Sequence, residues 1–72
     1  MDDLQNDLET RFSYHAPQGT QASRYVRIRA QALDFAEYLE EECPPSRERS
    51  LAITKLEECV MWANAAIARR ER

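Results

Sequence analysis

Apolar residues along this chain recur at three- and four-residue spacing in two long stretches. The first runs Tyr25, Ile28, Ala32, Phe35 and Leu39; the second runs Ile53, Leu56, Val60, Ala63 and Ile67. That is the period of one face of an α-helix, and it predicts two amphipathic helices over residues 20–43 and 46–70. Thr20 is the expected N-cap of the first, because a hydroxyl there can accept from an otherwise unpaired amide. Pro44 and Pro45 stop that helix, since proline has no backbone donor and pushes the residue before it out of helical geometry. Ser46 then caps the second helix, with Glu48 in its first turn, where the macrodipole favours an acid.

Ahead of these stretches, residues 1–11 are polar with Leu4 and Leu8 four apart, which predicts a short N-terminal helix. Residues 12–19 are a loop, broken by Pro17 and by Gly19, the only glycine in the chain. Two helices of similar length joined by so short a turn fold back on each other, each covering the other's stripe. The expected fold is therefore all-α: an antiparallel helical hairpin with a short N-terminal helix, one domain over residues 1–72.

A second apolar face is left over on the alanine-rich segment 61–69, formed by Met61, Trp62, Ala65 and Ala66. A chain of 72 residues buries too little surface to hide both faces unaided. Disulfides do not supply the missing stability. Cys43 and Cys59 would lie roughly 18 Å apart on a hairpin at about 1.5 Å rise per residue, beyond the reach of a bond, and read as small apolar residues in or near the core. One histidine and no CxxC or HxxxH spacing argue against a metal, and no cofactor motif is present. Self-assembly into a homo-oligomer through the second face is the remaining expectation.

Charge adds a direction. The acidic start Met1-Asp2-Asp3-Leu4 carries no targeting pattern and no apolar run approaches the roughly 20 residues of a membrane span, so a cytoplasmic protein is expected. A net charge of −3 disfavours general DNA or RNA binding, which draws on excess Lys and Arg. The antiparallel hairpin nevertheless sets Arg24, Arg27 and Arg29 at the same end as Arg69, Arg70 and Arg72, while Glu37, Glu40, Glu41 and Glu42 collect near the turn. Phe12, Tyr14 and His15 enter at the basic end. Guanidinium forks match phosphate oxygens and aromatic rings stack on bases, so a compact, multiply charged nucleotide suits this constellation. A plain alternative competes: arginines solvated or paired with neighbouring acids, loop aromatics stapling the hairpin, and His15 as a hydrogen-bonded structural residue. No nucleophile stands at an arguable distance from a base, and enzyme activity is not expected.

Four blocks carry a resemblance: Phe12-Ser-Tyr-His-Ala-Pro17, Arg24-Tyr-Val-Arg-Ile-Arg29, the run Pro45 to Glu58, and above all Met61-Trp-Ala-Asn-Ala-Ala-Ile-Ala-Arg69. Together they resemble the helical-hairpin domain shared by phage anti-CBASS and anti-Thoeris sponges, and the short chain is more similar to the anti-CBASS kind. The resemblance implies a homo-oligomer, commonly a hexamer, that sequesters cyclic dinucleotides and cyclic trinucleotides without cleaving them. It implies a base-stacking role for Tyr14, with Phe12 or His15 as alternatives, and a basic contact from Arg29. It implies a second-helix ligand contact from Arg69 or Arg70. A different class of function stays open from the residues alone: a small structural or adaptor protein docking through Met61 and Trp62, which suit protein interfaces equally well.

Overall fold

The structure is a computed structural model that describes residues 3–71, with side chains from residue 7 onward. Three helices follow one another: α1 over Asp3–Phe12, α2 over Gln21–Glu42 and α3 over Arg47–Arg70. No strand occurs among the described residues. The expected end of the first helix falls one residue short, because α1 continues through Phe12. Residues 1 and 2 of that expectation lie outside the described residues, as does the side chain of Leu4.

Helices α2 and α3 pack side by side and antiparallel, and the molecule is 13 Å in its thinnest dimension. That is the depth of one helix layer. The seam alternates Ile28, Ala32, Ala36 and Leu39 from α2 with Ile53, Leu56, Val60, Ala63 and Ile67 from α3, all half-buried. Phe35, expected on this stripe, is instead half exposed, and Ala36 takes its place. Alanines at 32 and 36 let the two backbones approach. The larger ring of Phe35 is turned aside and stacks on Tyr38 one turn later, with centroids 6.2 Å apart.

A single layer has no inside. Among the described residues no apolar side chain is buried, and the one buried residue is polar: Gln21, at 3% exposure. Met61 and Trp62 stand 65% and 64% exposed, and Val26, Leu33, Phe35 and Tyr38 are also open to solvent. Of the two cysteines, Cys59, exposed on α3, departs from the expected place in or near the core, whereas Cys43 at the end of α2 is half-buried as the seam residues are. Both thiols are free.

The two helix starts are built differently. Ser46 has extended backbone (φ −172°, ψ 167°), so its Oγ reaches the Arg49 amide at 3.1 Å and caps α3 as its sequence position suggests. Thr20 sits at φ −86° and ψ 4°, which aims its hydroxyl away from the first turn, and it makes no side-chain cap. A first-turn amide is paired by backbone instead, Gln21 N–H donating to the Gln18 carbonyl at 2.9 Å, while Gln21 Oε1 accepts from the Gln18 amide at 2.9 Å and Ser23 Oγ donates to the Thr20 carbonyl at 2.9 Å. Gly19, at φ +55°, supplies the left-handed residue that turns the loop into α2.

Candidate functional site

The end of the hairpin away from the Pro44–Pro45 turn brings together the start of α2, the end of α3 and the loop 13–20. Gln21 is its hinge point. Besides accepting from Gln18, its Nε2 donates to the Ile67 carbonyl at 3.4 Å and the Glu71 carbonyl at 3.3 Å. These carbonyls belong to the last turn of α3 and its C-cap, which the helix itself leaves unpaired. The contacts explain why a polar side chain is the one buried at this end.

Arg24, one turn further along α2, engages the Glu71 carboxylate as a two-pronged pair. Nη1 donates to Oε2 at 2.9 Å and Nη2 donates to Oε1. The contact holds the Glu71 carboxyl below the ordinary carboxylate range, chiefly through the hydrogen bond from Arg24, and raises the guanidinium in turn. Arg24 Nε is buried and has no partner.

The other arginines of α2 are parted by helical geometry. Arg24 and Arg27 line a groove of about 440 Å³ on one side of the seam, with Gln31, Phe35, Cys59 and Ala63. Arg29 lines a second groove, of about 480 Å³, with Leu33, Glu57 and Met61. Arg27 and Arg29 are two residues apart, about 200° around a helix, so they cannot serve one face. Sequence reasoning gathered Arg24, Arg27 and Arg29 at one end; the structure keeps them in one half of α2 and divides them between two surfaces. Arg69 is half-buried and Arg70 exposed in the last turn of α3, where the helix dipole favours cations. Arg72 lies outside the described residues.

The loop presents its aromatics to solvent. Tyr14 is 87% exposed and Phe12 79%, with the Arg11 guanidinium 5.8 Å from the Phe12 ring centre. His15 behaves otherwise: its Nε2 lies 2.7 Å from the Thr10 carbonyl oxygen. A carbonyl oxygen only accepts, so Nε2 carries the proton and ties the loop back to the end of α1. Tyr14 is thereby set on a short tether between a fixed histidine and the helix, its ring face uncovered.

Charge placement on α2 is opposite to what the helix alone prefers. No acid lies in its first turn and no base in its last, where Glu40, Glu41 and Glu42 stand instead. Dipole stabilisation therefore accounts for Arg69 and Arg70 but not for the arginines of α2. At the turn a cation comes from the other helix: Arg49 folds back from α3 and donates to the backbone carbonyls of Glu40 and Cys43 at 3.3 and 3.1 Å.

Met61, Trp62 and Ala66 are exposed on α3 and Ala65 is half-buried, a patch running along α3 beside and behind the seam with α2. Among the described residues no group of three or more His, Cys, Asp or Glu side chains can hold a metal ion. No described helix is long and apolar enough to cross a membrane.

Sequence comparison matches residues 5–68 to the family Acb2/Tad1, hairpin domain. The match spans nearly all of the chain, and the protein belongs to this family of anti-CBASS and anti-Thoeris sponges. Arg69, Arg70 and Glu71 fall just past the matched residues. No curated protein and no solved structure matches the chain.

Proposed function

We propose that this protein binds cyclic dinucleotide and cyclic trinucleotide immune signals and holds them without cleaving them, as a phage anti-CBASS sponge in the host cytoplasm. Membership of the hairpin-domain family over residues 5–68 is the observation that carries this reading. Tyr14, with its ring face exposed, stacks on a base; Arg29 and one of Arg69 and Arg70 meet phosphates, and Arg24 offers a further cation from the other groove. His15 sets the loop that presents Tyr14. A second copy of the chain covers Met61, Trp62, Ala65 and Ala66, giving a homo-oligomer with a hexamer as the expected size. A symmetric assembly offers matching groups to each half of a two-fold ligand and to each third of a three-fold one.

Such a protein works by mass action. An abundant, tight binder keeps free messenger below the level at which a defence effector fires, with no chemical step to catalyse. The test is recovery. A cyclic nucleotide incubated with the protein disappears from the free pool and returns chemically intact after heat or protease. Linear products that accumulate with time, and that are missing with a Tyr14→Ala, Arg29→Ala variant, would make this an enzyme. No depletion of any cyclic nucleotide would leave the adaptor reading through Met61 and Trp62.

A further inference from the structure

Glu71 occupies a place that chemistry reserves for a phosphate. Its two carboxylate oxygens meet Nη1 and Nη2 of Arg24 in the fork geometry that a guanidinium also offers to phosphate oxygens. Arg24 lines the groove that Arg27 also lines, so an anion arriving there meets two cations, one of them already engaged. We propose that Glu71 is a built-in competitor for the anion site at Arg24: the carboxylate shields the guanidinium until a phosphate of the ligand displaces it. This rests on the sponge reading for the identity of the ligand, not for the contact itself.

Three observations support displacement over a permanent lock. First, both side chains of the pair are partly open, at 31% and 44% exposure, and exposed ion pairs are cheap to separate. Second, Glu71 does not satisfy its partner: the buried Nε of Arg24 is left without an acceptor in the pair. Third, Glu71 has a backbone anchor besides its carboxylate, which Gln21 also reaches. Its backbone carbonyl accepts from Gln21, so the acid can swing away while the end of α3 stays docked on α2.

Release of Glu71 also matches the charge pattern of α2. That helix has no acid of its own in its first turn, and the carboxylate of Glu71 is the anion that the structure supplies near it. A phosphate would take over both duties, pairing with Arg24 and placing negative charge near the start of the helix. The consequence is selectivity. A ligand gains from Arg24 only what remains after Glu71 is displaced, which penalises weakly held single anions and spares ligands anchored through further phosphates.

The experiment compares wild type, Glu71→Gln, Arg24→Ala and the double variant by calorimetric titration, with a panel of cyclic di- and trinucleotides and with sodium pyrophosphate. Glu71→Gln removes the charge while keeping the size, and the helical circular dichroism of every variant is recorded alongside. For each cyclic nucleotide that wild type binds through Arg24, Glu71→Gln binds tighter by about two- to fivefold, the range that breaking an exposed ion pair spans. In the Arg24→Ala background the same change has no effect. Unchanged or weaker binding by a folded Glu71→Gln variant would overturn the proposal, as would a gain that persists without Arg24. If wild type binds no cyclic nucleotide, the sponge reading fails by itself. The competitor is then judged on pyrophosphate, where a gain on Glu71→Gln that depends on Arg24 supports it and no gain overturns it.

Discussion

The two ends of the hairpin are closed by different means. At the turn every contact is local: Ser46 caps α3 three residues on, and Arg49 reaches back no more than nine residues to the last carbonyls of α2. At the open end Gln21 and Arg24 span 46 to 50 residues to reach Ile67 and Glu71. Local contacts form together with the helices they cap, whereas the distant ones require the whole loop between them to close first. The turn is thus a scaffold, and the open end is the part able to loosen without unfolding the remainder. Phe12, Tyr14 and Arg70 face solvent there.

Replacing Gln21 strikes this contrast hardest. Gln21→Leu keeps the bulk but orphans the Gln18 amide and the Ile67 and Glu71 carbonyls, a cost of about 1–3 kcal/mol for unmade buried hydrogen bonds. Thermal melting reads the loss. Hydrogen exchange locates it: amides of the last turn of α3 lose protection while those around Arg49 and Ser50 keep theirs. Equal loss at both ends would mean that the ends are one cooperative unit.

Ser46→Ala is the matching change at the turn, and its effect is smaller, about 1 kcal/mol for a lost N-cap. Its exchange footprint falls on the first turn of α3 and leaves the Gln21 contacts alone. Combining the two changes should give a loss close to their sum, because the sites share no partner. A marked departure from additivity in the melting data would contradict the separation of the ends.

This division also sets what could be read from the chain beforehand. Ser46, Pro44 and Pro45 act through neighbours a few residues away, so the turn and the start of α3 were legible in the sequence. The seam was mostly legible too, since its period is a property of each helix by itself. Phe35 was misplaced because period alone does not weigh ring size against the approach distance that Ala32 and Ala36 permit. Thr20 was misread as a cap because its residue type is right and its backbone angles are not. Gln21 gave no signal, as a glutamine beside a loop looks like any solvated residue until the end of α3 arrives. Glu71 was hidden for the same reason. Among the candidate ligand residues, the sequence indicated which half of the hairpin carries Arg24, Arg27 and Arg29 but not that they divide between two surfaces. That division follows from the helical period itself, which sets Arg27 and Arg29 about 200° apart and which sorting residues by hairpin end leaves out.

Calorimetric titration of cyclic di- and trinucleotides against two substitutions in the open half and one at the turn addresses the assignment of the ligand to the open half. Tyr14→Ala is expected to weaken binding by about 1–3 kcal/mol through lost stacking, and Arg29→Ala by about 1.5–3 kcal/mol through a lost charge-assisted contact. Arg47→Ala, which removes a cation at the turn, should leave the dissociation constant within error of wild type. Affinity unchanged in both Tyr14→Ala and Arg29→Ala, or lost equally in Arg47→Ala, would contradict the placement of the ligand at the open, aromatic end of the hairpin.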